Sequence, residues 1–262
     1  MDTGLDEIKF IYDRNVAMSI TDIDSLYGAL KTALAGLIEE HDLAGKELNV
    51  RCRVLEAAEA IGTPEHKDYP ILKGREHMVE ARMENARGQA FADEFENFEG
   101  PVDSLLTMEL DTNSKRAIFI AGLNAAFKYC KKCGPTVHCK DDEPVECAKK
   151  LHEIFSENEK ILLAGLQPRF LEELSKTNSI RTVDLDPENI GTVRYGVKVE
   201  PPENTEEAIE WCDTVFATGS TVVNGTITDF LKLDKRVVFF GVTIAAAASI
   251  LGLEVFCNAP ER

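Results

Sequence analysis

The residues best able to do chemistry lie in a few short runs. The sulfur-rich run is Cys130-x-x-Cys133, then His138-Cys139, then Cys147. Thiolate and imidazole are soft and borderline donors, suited to zinc, iron, nickel or cobalt. A closed zinc ribbon needs a second C-x-x-C pair at ribbon spacing, and the chain has only one, beside Lys128, Lys131 and Lys132 at a predicted helix end. Cys147 falls on a predicted helix and reads as core. Asp141, Asp142 and Glu143 crowd three carboxylates before Pro144. They either cap the next helix through its dipole, or form an edge for a hard metal or an amine, or supply a general base. The stretch around residues 61–77 is dense in His66, Lys67, Asp68, Lys73, Arg75, Glu76 and His77. From Asp68 to Glu80 the mixture suits acid–base work or cation binding, and equally a solvated loop.

Two turns offer a different chemistry. Asp213 to Thr226 reads as a buried strand (Val215, Phe216, Ala217), a turn at Gly219, and a helix striped by Val223, Ile227, Phe230 and Leu231. Such a turn aims backbone N–H groups, the hydroxyls of Thr218, Ser220 and Thr221, and the Asn224 amide at the carboxyl edge of a sheet. That favours a carboxylate or phosphate; the plainer reading is a capped turn. The turn Gly165-Leu-Gln-Pro-Arg-Phe stands where G-x-G-x-x-G would, without its second and third glycines, so close pyrophosphate approach is not supported. S-adenosylmethionine or a nucleoside, with looser demands, stays open. Asp184 and Asp186 end the next strand, where they could meet a ribose or cap the turn before Pro187. Asn124 interrupts an apolar helix face; a buried amide needs partners, so it either ties two domains or touches ligand.

Four stretches carry a family resemblance. They are Thr218 to Thr226, Thr136 to Pro144, Gly165-Leu-Gln-Pro168, and the pair Gly88-Gln-Ala-Phe91 and Arg116 to Asn124. They are similar to signatures of a heavy-metal chelation domain family often carried behind an enolase-N-terminal-like domain. The resemblance runs from about Ile61 onward. It implies an enolase-N-terminal-like α+β unit over residues 1–135, a Rossmann-like unit over 136–262, and a ligand site between them. It raises Lys73 and Glu76 as catalytic candidates. Joined to the turn reading, it points to Thr218, Gly219, Ser220, Thr221, Asn224, Asn124, Gly165, Gln167 and Thr243 as ligand-binding residues. It favours His138 and Cys139, rather than the C-x-x-C pair, as ligands to a transition metal. The implied role is handling or inserting a heavy metal, linked to anaerobic cobalamin or related tetrapyrrole synthesis. One departure stands out: the family follows its fifth strand with Gly-Pro-Thr, and this chain has Gly241-Val-Thr243. Rival readings are a non-catalytic metal carrier, and a transferase or lyase acting on a small anionic metabolite.

The elements that must position these residues read clearly in the second half. Strands are expected at 161–166, 180–185, 215–217, 236–240 and 254–257. Helices are expected at 143–155, 168–176 (Pro168 near the first position), after a capping box at Asn204 and Glu207, and near Ala245. Repeated strand–helix units imply a doubly wound parallel sheet, so the chain is α/β. In the first half a strand is expected at 7–12, a helix from Thr21 to about Gly45, a strand at 48–55, two strands of a hairpin at 78–83 and 89–91, a solvated acidic run at 93–99, and a helix at 115–131.

Composition bounds the rest. The chain has 262 residues and a formal net charge of −17. That argues against nucleic acid or an anionic membrane as partner, leaves a small anion or a metal, and is compatible with a homo-oligomer. Seven cysteines and an acidic N-terminus point to reduced thiols in a cytoplasm. The uncharged run Val237 to Leu253 reads as strand, loop and small helix rather than a membrane span.

Overall fold

The computed structural model describes residues 17, 19–44, 49–74 and 76–259. The strand expected at 7–12, the Gly45 helix stop and Arg75 lie outside them. Helix α1 (Ile23–Glu40) begins at a reciprocal cap: the Asp22 carboxylate accepts the Ser25 N–H, and the Ser25 hydroxyl oxygen accepts the Asp22 N–H. Leu26, Leu30, Leu34 and Leu37 lie on its one buried face. Strands β1 (Asn49–Leu55), β2 (His77–Met83), β3 (Ala86–Ala92) and β4 (Phe98–Pro101) form an antiparallel sheet in the order β3-β2-β1-β4. β4 begins inside the acidic run expected to be solvated. Its backbone pairs with β1 while its side chains stay partly exposed, so its polarity hid it.

Helix α2 (Asn113–Tyr129) starts at Thr112, whose hydroxyl accepts the Lys115 N–H, and is buried all round from Ala117 to Phe127. A helix without a polar face must lie between two layers. One side of α2 packs on β2 and β3; the other meets the helices of the second sheet. Gly88 permits the first contact, since a Cβ there would stand 2.3 Å from the Ala121 carbonyl oxygen and the Ala125 nitrogen. Gly88→Ala is expected to destabilise the fold by about 1–3 kcal/mol, as overpacking does. A urea midpoint that fails to move would show that helix and strand separate without cost.

The second sheet gathers β5 (Lys160–Ala164), β6 (Ser179–Val183), β7 (Val193–Arg194), β8 (Val197–Glu200), β9 (Thr214–Thr218), β10 (Arg236–Phe240) and β11 (Glu254–Phe256). Their order is β11-β10-β9-β5-β6-β8-β7, parallel except for β7 against β8. Helices α3 (Glu143–Ala148), α4 (Pro168–Leu174), α5 (Thr205–Trp211), α6 (Thr221–Asn224) and α7 (Ala245–Leu251) complete this half. The order in which strands are added reverses between β5 and β9, the switch point at which open sheets of this kind bind ligands. β5 and β9 are apolar along nearly their whole length because both faces are covered. Phe155, Phe170, Phe216, Phe240 and Phe256 pack ring to ring in one hydrophobic core.

Several expectations are corrected. The β7–β8 hairpin was not expected. Asn204 makes no side-chain cap; its amide donates to Glu200 instead. The expected helix at 143–155 is the short α3 followed by a tighter turn at Lys149–Glu153. The helix expected after β9 is two four-residue pieces, α6 and Thr228–Leu231, broken where Gly225 turns left-handed. Val237 to Leu253 resolves into β10, a turn and α7, and no described helix is long and apolar enough to cross a membrane.

Candidate functional site

Three turns at the carboxyl edge of the parallel sheet make one wall. Gly165, after β5, has φ +89°, and a Cβ on it would stand 2.6 Å from Thr218 Cγ2, so the β5 and β9 turns touch. The Gly219 N–H donates to the Phe240 carbonyl at 2.7 Å, which joins the β9 turn to the β10 turn. Ser220 N–H donates to Thr218 Oγ1, Thr221 Oγ1 to the Thr218 carbonyl, and the Val222 N–H to the Gly219 carbonyl. Donors expected to face a ligand are therefore largely spent inside the turn. Asn224 Oδ1 is likewise spent on the N–H and hydroxyl of Thr226. Gln167 caps α4 by accepting the Phe170 N–H at 2.8 Å.

The opposite wall comes from β2, β3 and the loop before α3. Glu80 is fully buried and accepts from Arg82, Arg87 and Gln89 at 2.6–2.8 Å. Burial alone would push its carboxyl up; those hydrogen bonds outweigh it and hold it below the usual range. Gln89 passes the order on, its Oε1 accepting the His138 N–H at 2.7 Å. His138 Nδ1 lies 2.6 Å from the Cys139 carbonyl oxygen. A carbonyl can only accept, so Nδ1 carries a proton. The three crowded acids fasten loops: Asp141 accepts the Thr63 N–H, Asp142 the Glu65 N–H, and Glu143 the Lys140 N–H. The hard-metal edge is thus replaced by backbone capping.

Between the walls lies a cavity of about 510 Å³. It brings together Glu76, Gly165, Gln167, Thr218, Ser220, Asn224, Thr243, His138 and Cys139 from the expected set. It adds Tyr69, Asp93, Asn113, Cys147, Asn189 and Cys257, none of which stood out as a ligand residue in a local motif. Gly219 and Thr221 support the wall without lining it. Lys73 is exposed on the turn Pro70–Lys73, outside the lining. Asn124 is fully buried behind the wall and ties β3 to the Thr243 turn. A smaller hollow of about 420 Å³ adjoins, sharing Gly241 and Cys257.

Charge in the cavity is one-sided. Glu76, Asp93, Asp184 and Asp186 line it, and among the described residues no lysine or arginine does. Arg169, nearby and buried, spends its charge on Asp68 and Glu172 and also donates to Tyr195 Oη. Asp184 is not available for a ribose: its oxygens accept from Leu166 N–H, Asp186 N–H and the Asn189 amide. Glu76 is the perturbed group. Loss of water raises its carboxyl first, Asp184 and Asp186 raise it further, and His138 opposes them, giving a pKa of about 7. His138 and Cys139 lie side by side, Nδ1 to Sγ 3.8 Å. Among the described residues no three His, Cys, Asp or Glu side chains are arranged to hold a metal ion.

Comparisons fit this architecture. A crystal structure of a protein of unknown function from the DUF364 family of Pyrococcus horikoshii superposes with a TM-score of 0.51. It is 14% identical and covers 83% of this chain and 79% of that chain, a likeness of fold alone. Another DUF364 structure, from Desulfitobacterium hafniense DCB-2, covers 83% of each chain at 15% identity and a TM-score of 0.49. No curated protein matches the chain. The sequence model of the DUF364 family matches residues 150–253, which run from just after α3 to just before β11. Residues 150–253 are thus similar to the family described as "Putative heavy-metal chelation".

Proposed function

We propose that the cavity is a cation site in which the protein handles a heavy metal. The observation that carries this is the lining: four carboxylates, an imidazole and three thiols, with no lysine or arginine among the described residues. An anion there would meet like charge at reduced dielectric, so a metal ion, bare or chelated, is favoured over a small anionic metabolite. The family description supports the same reading. His138 and Cys139 are the proposed first ligands, a borderline nitrogen beside a soft sulfur. Since no three donors are preassembled among the described residues, binding would draw further side chains inward. The units 1–135 and 136–262 would both contribute, the first through Glu76 and the second through the turns. Anaerobic tetrapyrrole or cobalamin synthesis is the setting that the family resemblance offers.

A second reading, an enzyme of the transferase or lyase kind, is favoured by Glu76 alone. A carboxyl with a pKa of about 7 can give and take a proton at neutral pH. Elemental analysis and native mass spectrometry of anaerobically purified protein separate the two. Stoichiometric transition metal that falls more than about tenfold in Cys139→Ser supports metal handling, by analogy with losses seen at metal sites. Metal content unchanged in Cys139→Ser overturns the proposed ligands. A bound organic molecule without metal favours the enzyme.

A further inference from the structure

We propose that Gln89, fixed by Glu80, is a positioning residue that sets the His138–Cys139 pair at the cavity wall without touching what binds there. Its effect on binding rests on the cation reading of that pair; its effect on His138 does not. Both Gln89 and Glu80 are buried, and neither lines the cavity. They are direct partners across β2 and β3, so their side chains rise from the same face of the sheet. Gln89 Nε2 donates to Glu80 Oε2 at 2.8 Å. Arg82 and Arg87 pair with the same carboxylate and favour its ionised form. A carboxylate has no hydrogen to give, so only the amide nitrogen of Gln89 can face it, and the amide oxygen must face the other way. An uncharged amide at position 80 would accept either orientation.

The orientation that remains aims Gln89 Oε1 at the His138 N–H, 2.7 Å away. The backbone of β3 holds the residues just before it. The Gln89 N–H donates to the Thr136 carbonyl at 3.0 Å, and Thr136 Oγ1 donates to the Arg87 carbonyl at 2.6 Å. Phe91, two residues on and so on the same face of the strand as Gln89, meets the His138 ring edge-on at 5.2 Å. Residues 136–140 belong to no helix or strand. Their backbone has no ladder of its own, so the place of His138 is set by what β3 offers it. A buried charge is a costly way to fill space, whereas it is an effective way to dictate which way an amide points.

The test titrates Co(II) into the reduced full-length protein and follows the thiolate-to-cobalt absorption. Cys139→Ser, expected to abolish that absorption, checks the ligand. Gln89→Met keeps the volume and loses both side-chain hydrogen bonds. Its affinity for Co(II) is expected to fall about 10–100-fold, the usual cost of removing a group that orients a metal ligand, with the absorption at saturation unchanged. Gln89→Glu is the rescue. A protonated carboxyl supplies one donor and one acceptor, the pattern that the amide uses here. The deficit of Gln89→Glu relative to wild type should therefore shrink as pH falls, while that of Gln89→Met does not. Circular dichroism checks the fold, and the pH dependence of Gln89→Glu carries the test should Gln89→Met not fold. A deficit in Gln89→Glu that is independent of pH, or an unchanged affinity in folded Gln89→Met, overturns the role. If Co(II) binding is indifferent to Cys139→Ser, the metal reading of the pair fails, and amide exchange at His138 in metal-free protein decides. Exchange faster by about tenfold or more in either Gln89 variant at neutral pH, with β5 unchanged, supports the positioning role, and unchanged exchange overturns it.

Discussion

Replacing Asn124 with alanine is expected to destabilise the protein by about 4 kcal/mol or more, because each of its four backbone partners would be left buried at about 1–3 kcal/mol. The amide nitrogen lies 3.0 Å from the Gln89 carbonyl, 3.2 Å from that of Val242 and 3.1 Å from that of Thr243. Its oxygen accepts the Ala246 N–H at 2.9 Å. An amide has only two hydrogens, so three carbonyls share them. Asn124→Asp is a sharper probe. It keeps the acceptor for Ala246 but turns an oxygen toward three carbonyl oxygens, and is expected to cost at least as much. Urea unfolding measures both. A loss below about 1 kcal/mol for the alanine variant would mean that the Val242–Thr243 turn repairs its own hydrogen bonds. Because Thr243 lines the cavity and accepts the Phe91 N–H at 3.1 Å, the same variants should loosen that wall, read as faster amide exchange at Phe91.

Glu76 should make the protein less stable as pH rises. Its carboxyl is raised from 4.5 to about 7 in the folded chain, by burial first and by Asp184 and Asp186 next. The folded state therefore holds its proton where the unfolded state has released it. Stability tied to Glu76 is full below about pH 4.5, falls through the interval up to about 7, and is flat above. At about 1.4 kcal/mol per pH unit the whole effect is on the order of 3 kcal/mol, reduced by water reaching the partly exposed side chain. Glu76→Gln removes this contribution while keeping the shape. The stability difference between variant and wild type should be small at pH 4.5, grow in favour of the variant, and level off above pH 7. A difference independent of pH would show that Glu76 titrates like a solvated glutamate.

Much of the site's framework was legible locally. Gly165-Leu-Gln-Pro168 and Thr218-Gly-Ser-Thr221 announce turns after buried strands, and the fold sets them side by side at the switch point. The strands of the β2–β3 pair were legible in the sequence, at 78–83 and 89–91. What each polar group does there was not. Ser220 and Thr221 look like donors awaiting an anion, but the turn consumes the surrounding N–H groups. Asp184 looks like a ribose-binding acid, but it holds the Leu166 N–H. A side chain's residual bonding capacity depends on which backbone groups reach it, and local pattern carries no record of that.

The sequence by itself determined the class of this protein. Strand and helix periodicity, the buried runs at 161–164 and 215–217, and the small and hydroxyl residues at strand ends specify a parallel α/β sheet with an open carboxyl edge, because those signals act over a few residues. Tertiary structure alone decided the rest. It made Asn124 a tie rather than a ligand contact, closed β4 and the β7–β8 hairpin onto their sheets, and raised Glu76 by enclosing it with Asp184 and Asp186. Those outcomes depend on hydrogen bonds, desolvation and charge between groups far apart along the chain, and such energies exist only once the two sheets have closed around α2.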